Sequence, residues 1–318
     1  MIEGVDLHAR IRGTPTRRAV LTTALLLGTP RCVFAATDPG FHATADFVPP
    51  AERAPVPFEI VGGALLFRAL VAGRETWALL DNGAPSAVDK SFAQTAQLRP
   101  ISEQPPLRTP SGWIKRKRIE SVAVVIPGQV NLVGPLNVVD LGPISLNLER
   151  KIEFVLGRDY LTHLALVVGW LRNSLEFLRG GTLAIPAPAL AVPILGDDYL
   201  VAARIGGREL RLAIDLGSNV PVTLTPSAWA KVNVPSHMVV DTTNLHADGL
   251  NVRTKSSVID SMMLGSKEFG PTAVTIEPQT ANSADGTIGL ALLTKCDFGL
   301  DADAAKLWIA PRGALNLL

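Results

Sequence analysis

Two short apolar runs in this chain end in the same way. Trp77-Ala78-Leu79-Leu80 leads into Asp81-Asn82-Gly83-Ala84, and Leu210-Arg211-Leu212-Ala213-Ile214 leads into Asp215-Leu216-Gly217-Ser218. A β-like run that stops at an aspartate and turns at a glycine holds a carboxylate at a fixed place, because glycine reaches backbone angles that other residues resist. Asp-x-Gly alone says little, since it also begins at Asp38, Asp140 and Asp297. The surroundings set these two apart.

Those surroundings repeat. Gly73 precedes Asp81 by eight residues, as Gly207 precedes Asp215. An apolar-Gly element follows each aspartate, Leu156-Gly157 after 76 residues and Ile288-Gly289 after 74. Gly112 and Gly128 stand 16 apart, as do Gly249 and Gly265; Gly157 to Leu175 and Gly289 to Leu307 are both 18. The displacement between the copies stays between 132 and 137 residues, which is the period of a duplicated domain and not of a solenoid.

Two carboxyl groups facing each other across a pseudo-twofold axis can cleave an amide. Like charges a few ångström apart resist joint ionisation, so such a pair shares one proton over a wide pH range. The ionised member takes a proton from a water held between them, and the protonated member hydrogen-bonds the substrate carbonyl. That chemistry requires no metal, cofactor or covalent nucleophile, and none is expected here. The expected geometry puts Asp81 and Asp215 within direct or one-water hydrogen-bond reach.

An apolar strand entering Asp-x-Gly-Ala/Ser, with an apolar-Gly element some 75 residues on, resembles the pepsin/retropepsin aspartic protease family. It is most similar to bacterial exported proteins with two retropepsin-like lobes in one chain. The resemblance runs from about Phe58 to Pro311. It implies an all-β, pepsin-like bilobal fold: two retropepsin-like β-barrel lobes related by pseudo-twofold symmetry, each with a short helix after its apolar-Gly element. It implies Asp81 and Asp215 as catalytic groups, with Asn82, Gly83, Ala84, Leu216, Gly217 and Ser218 supporting the active loops. Gly112 and Trp113 match in order the flap that closes over a bound peptide, Trp113 standing in for an absent tyrosine. The family's threonine or serine after each aspartate, whose hydroxyl cross-links the loops, is replaced by Asn82 and Leu216. Asparagine can still hydrogen-bond and leucine cannot, so a weakened cross-link and slow proteolysis are expected. The substrate class is a peptide or protein, and the chain is expected to act as a monomer. The alternative is a catalytically weak or inactive relative that binds peptides or partner strands in the same groove. A third possibility, an exported carbohydrate-binding sandwich, explains the composition but not the paired aspartates.

The rest of the chain fits an exported enzyme. Arg17-Arg18, the apolar run Leu21 to Gly28 and the small residues to Ala35 read as a signal peptide of the twin-arginine type over 1–35, with the bacterial periplasm as destination. The run is about half a membrane span, so no stable transmembrane segment is expected. Cleavage there removes Cys32 and leaves Cys296 alone, which excludes an internal disulfide. Residues 36–57 read as a proline-rich tether, 58–183 as the first lobe, 184–193 as a linker carrying Pro186, Pro188 and Pro193, and 194–318 as the second lobe. Pro100 to Pro110 reads as a loop, and the basic run Lys115 to Arg118 as a solvated hairpin edge. A net charge of +1 offers nothing to nucleic acid. The five histidines lack a metal-ligand spacing, and no Gly-x-Ser-x-Gly elbow, phosphate loop or dinucleotide fingerprint is present. Asp159, which has no counterpart in the second copy, reads as a local turn carboxylate.

Overall fold

The computed structural model describes residues 43–109, 112–196, 198–232, 234, 239–245, 251–277 and 284–315. The expected signal over 1–35, the first part of the tether and the tip at Pro110 and Ser111 lie outside the described residues.

The chain is mostly β, with short helices, and its strands form two sheets. The first half contributes β1 (Thr44–Phe47), β2 (Val56–Val61), β3 (Ala64–Val71), β4 (Arg74–Asp81), β5 (Ala87–Asp89), β6 (Ser102–Thr109), β7 (Gly112–Ile126), β8 (Val130–Val139), β9 (Phe154–Gly157), β10 (Leu164–Gly169) and β11 (Ser174–Arg179). After β12 (Leu190–Pro193), the second half contributes β13 (Leu200–Ile205), β14 (Arg208–Asp215), β15 (Val222–Leu224), β16 (Val240–Leu245), β17 (Asn251–Ile259), β18 (Met262–Leu264), β19 (Lys267–Phe269), β20 (Thr272–Ile276), β21 (Gly286–Gly289), β22 (Asp297–Asp301) and β23 (Lys306–Ala310). Short helices α1 (Lys90–Thr95) and α2 (Gly142–Asn147) precede β9, and α3 (Arg158–Leu161) follows it; α4 (Pro226–Lys231) precedes β16, and α5 (Leu290–Leu293) follows β21.

Strand order repeats between the halves. β3-β4-β9-β5-β8-β7-β6 in the first sheet has the same sequence of neighbours as β13-β14-β21-β15-β20-β17-β16 in the second. Pairing senses repeat as well. β4 runs parallel to β9 with Asp81 opposite Gly157, and β14 runs parallel to β21 with Asp215 opposite Gly289. β5 is antiparallel to β9 and parallel to β8, as β15 is to β21 and β20.

Local chemistry accounts for these elements. The β3–β4 turn has positive φ at Ala72 (49°) and Gly73 (75°), and the β13–β14 turn at Gly206 (55°) and Gly207 (75°). Two consecutive positive φ values make the tight turn whose twist matches the strands it joins. Asp89 caps α1, accepting from the Ser91 and Phe92 N–H groups; Thr225 caps α4, accepting from the Ala228 N–H, with Pro226 at the first helical position.

The halves meet in one run of strands, β12-β23-β22-β10-β11-β2, with β10 against β22 at its centre and Leu166 opposite Leu300. One hydrophobic core extends through both halves and this seam, from Phe67 and Phe154 to Phe177, Leu212 and Phe298. Two buried aspartates of β22 act as staples there. Asp297 accepts from the Trp170, Gly313 and Leu315 N–H groups, and Asp301 from those of Gly181, Leu183 and Ala304.

Some segments differ from the sequence reading. Part of the presumed tether is β1, paired with β8. The proline-rich stretch before Pro110 is β6, a strand whose register shifts between Gln104 and Leu107, where Pro105 and Pro106 cannot donate to the ladder. The basic run is not an edge, since β7 lies between β6 and β8; Lys117 pairs with Glu103 and Arg116 reaches the Pro105 carbonyl. The end of the presumed linker is β12, paired with β23.

Candidate active site

β4 and β14 each deliver an aspartate into a turn closed by the same pair of contacts. Gly83 N–H donates to Asp81 Oδ1 at 2.8 Å, and Gly217 N–H to Asp215 Oδ1 at 3.1 Å. Ala84 N–H reaches the Asp81 carbonyl at 3.3 Å, and Ser218 N–H the Asp215 carbonyl at 3.2 Å. Behind the loops pass β9 and β21. A Cβ on Gly157 would stand 2.3 Å from the Ser86 nitrogen, and one on Gly289 2.0 Å from the Val220 oxygen, so only glycine permits this packing. The residue after each glycine also bonds its loop: Arg158 N–H donates to the Ala84 carbonyl and Leu290 N–H to that of Ser218, both at 2.7 Å.

The two loops bring their carboxyl groups together. The position a Gly83 Cβ would occupy lies 3.1 Å from both Asp81 Oδ1 and Asp215 Oδ1, so these oxygens are separated by no more than twice that distance. A Cβ on Gly217 would lie 2.4 Å from Asp81 Cγ, so each glycine of the pair admits the opposing aspartate. Asp81 is 1% exposed and Asp215 4%. Burial first, then the neighbouring charge of Asp215, push the Asp81 carboxyl well above its ordinary range; the Gly83 and Ala84 N–H groups and the Arg158 guanidinium pull the other way. Among the described residues, the buried Asp81 Oδ2 has no hydrogen-bond partner.

Asn82 joins the loops. Its Oδ1 accepts from the Leu216 N–H at 2.6 Å, and its Nδ2 donates to the Ile214 carbonyl at 2.9 Å. One side chain therefore supplies both a donor and an acceptor to the opposite loop. The Leu216 side chain is fully buried in the core. The sequence reading, in which leucine weakens the cross-link, is corrected here: the link is complete from one side. Ser218 is buried and its Oγ accepts from the Val220 N–H.

The β6–β7 hairpin carries Gly112, paired with Thr109, and Trp113, which is 66% exposed. Its inward neighbours Leu107 and Ile114, rather than Trp113, line an apolar cavity of about 40 Å³ with Asp81, Ala84, Val139 and Ile144. Asp140 also lines it and pairs with Lys90 at 2.5 Å.

Sequence reasoning missed Arg158, Asp198 and the cavity. Arg158 Nε donates to the Asn82 carbonyl at 3.3 Å, and its Nη1 reaches Asp198 Oδ1 of the second half at 3.1 Å. A signal was present, because Gly157-Arg158-Asp159 answers to Gly289-Leu290-Ala291. Asp159 is a turn carboxylate, as read. It accepts from Ser86 N–H, Ser86 Oγ–H and Tyr160 N–H, and burial lifts its pKa to about 6. The lone Cys296 is buried, its thiol pushed up to about 12 by desolvation.

Among the described residues, no group of three or more histidine, cysteine, aspartate or glutamate side chains could hold a metal ion, and no helix is long and apolar enough to cross a membrane. No protein-family model and no curated protein matches the chain.

Proposed function

We infer that the chain is an aspartic endopeptidase built from two retropepsin-like lobes. The observation that carries this reading is the convergence of the Asp81 and Asp215 Oδ1 atoms on one point beside Gly83. The repeated strand order and the matched Asp81–Gly157 and Asp215–Gly289 registers support the pseudo-twofold arrangement.

The burial that raises Asp81 favours one shared proton on the pair at mildly acidic pH. A water between the carboxyls gives its proton to the ionised member and attacks the peptide carbonyl carbon. The protonated member donates to the carbonyl oxygen, and the resulting gem-diol collapses as the amide nitrogen is protonated and the C–N bond breaks. The apolar cavity beside Asp81 suits an uncharged aliphatic side chain next to the cut bond.

The test is a peptide-library digest by wild type, Asp81→Asn and Asp215→Asn from acid to neutral pH. Wild type should cut best at mildly acidic pH and either variant should be inactive. Cleavage that survives either change would overturn the aspartic mechanism, while binding without cleavage would make the chain a peptide-capturing relative.

A further inference from the structure

The two active loops are alike in backbone but not in charge. After the apolar-Gly element the first half has Arg158 and the second has Leu290, which is fully buried. The guanidinium of Arg158 is 17% exposed and makes two directed bonds, Nε to the Asn82 carbonyl and Nη1 to Asp198. It also lies over the Tyr199 ring, 5.5 Å from the centroid. Asn82 is the residue that clamps the opposite loop, so Arg158 holds the clamp by its backbone while gripping the second half through Asp198.

We propose that Arg158 is a positioning residue for the carboxyl pair: it fixes the Asn82 loop against the second half and places one positive charge on the Asp81 side that the Asp215 side lacks. This rests on the peptidase reading for its consequence, but not for its geometry. An arginine suits the task because its planar fork makes two bonds in fixed directions and keeps its charge at every working pH. The charged groups around the site are Asp215 on the opposing loop, Arg158 on α3, and Asp198, which partly offsets Arg158. Asp140, on the cavity wall, is already paired with Lys90. Buried Asp159 faces Ser86, and the Tyr199 phenol, pushed up to about 12 by burial, stays neutral. The one-sided cation makes Asp81 the member that carries the negative charge when the pair holds a single proton, leaving the proton on Asp215.

The experiment titrates the full chain carrying ¹³C-carboxyl aspartate by NMR, in wild type, Arg158→Lys, Arg158→Gln and Asp198→Asn, with Asp81→Asn assigning the signal. Peptide digests of the same proteins run alongside. Removing the charge in Arg158→Gln should move the Asp81 ionisation, and the acid limb of any hydrolysis, upward by about one pH unit. Arg158→Lys keeps the charge and should recover most of that displacement, whether or not Arg158→Gln folds well. Asp198→Asn should not move it upward. An unchanged Asp81 titration in Arg158→Gln, an Arg158→Lys profile displaced by the full unit, or an equal upward displacement in Asp198→Asn would overturn the proposal and leave Arg158 as a strut between the halves. A wild type that cuts nothing would refute the peptidase reading alone, since the carboxyl titration still reads Arg158.

Discussion

Asn82 and Leu216 hold each other across the site by unlike means: the Asn82 side chain accepts the Leu216 backbone N–H at 2.6 Å, while the Leu216 side chain turns into the core. A reciprocal pair of hydroxyls would make two links of one bond in each direction. Here one amide makes both bonds, because asparagine carries a donor and an acceptor on a single rigid plane. The positioning of Asp215 therefore depends on a residue next to Asp81.

Replacing that residue should cost more than its own bonds. Asn82→Ala strands the buried Leu216 N–H and Ile214 carbonyl, at about 1–3 kcal/mol each. It should lower turnover by roughly a hundredfold through looser placement of Asp215. Asn82→Thr keeps one donor and one acceptor and should retain part of the rate. Leu216→Thr should give no gain, because its N–H is already bonded and the new hydroxyl enters an apolar site. Kinetics and urea melts of the three variants check this; a faster Leu216→Thr enzyme would show that the second loop lacks restraint.

Much of the fold was legible because the duplication left landmarks that survive sequence drift. Gly157 and Gly289 persist where backbone passes within contact of backbone, and Asp81 and Asp215 where a strand ends in a tight turn. The active-loop residues were legible for the same reason. Less could be read where tertiary context overrides composition. β6 looks like a loop because it holds Pro105 and Pro106, yet it pairs with β7 through a register shift. The role of Asn82 was half legible: its chemistry is in the residue type, but its reach to Ile214 depends on the approach of segments 132 residues apart. Arg158 and the cavity depend on such approaches entirely, and no local spacing encodes them.

The same close approaches predict where the chain breaks. Gly157→Ala and Gly289→Ala each force a methyl into backbone atoms, which cannot move aside as a flexible side chain can. The cost should reach or exceed the upper end of the ~1–3 kcal/mol typical of overpacking. Gly73→Ala, with open space around it, should cost only the ~1 kcal/mol of a positive φ. Thermal melts of the three proteins rank them, and a Gly157→Ala protein as stable as Gly73→Ala would contradict the packing described.

Asp159 makes stability depend on pH. Its folded pKa of about 6 lies above the ordinary 3.8, so its contribution is complete below the unfolded value and is lost as pH rises through about 6. Burying the ionised form at neutral pH costs roughly 3 kcal/mol. Asp159→Asn can keep the three bonds accepted by one oxygen and escapes this loss. It should therefore gain on wild type as pH rises from about 4 to about 7. Urea melts at both ends give the difference; an equal gap at both would mean that Asp159 does not titrate in this range.

The amino-terminal reading is open to a direct test. Arg17→Lys/Arg18→Lys should retain precursor in the cytoplasm of an expressing bacterium, because the twin-arginine receptor reads the arginine pair and not charge alone. Fractionation and amino-terminal sequencing of the exported product check both route and cleavage after Ala35. Unchanged export of the double variant would rule out dependence on that route.

The cavity beside Asp81 makes a prediction about preference. Its walls are small or aliphatic, with Ala84 on the active loop, Ile144 on α2 and Ile114 on the hairpin, so it admits a modest aliphatic side chain and excludes a large ring. Ile114 is only half-buried and can be changed without opening the main core. Ile114→Ala should shift cleavage towards larger side chains at the position that enters the cavity. Val139→Phe should do the reverse and narrow it. A methylene gained or lost in an apolar pocket is worth about 1–3 kcal/mol, so the kcat/KM ratio between leucine and phenylalanine substrates should move by roughly tenfold or more, in opposite directions. Such a change in ratio, with the pH profile unaltered, separates the cavity from the carboxyl pair. Identical preferences in both variants and wild type would mean that the peptide passes the cavity by.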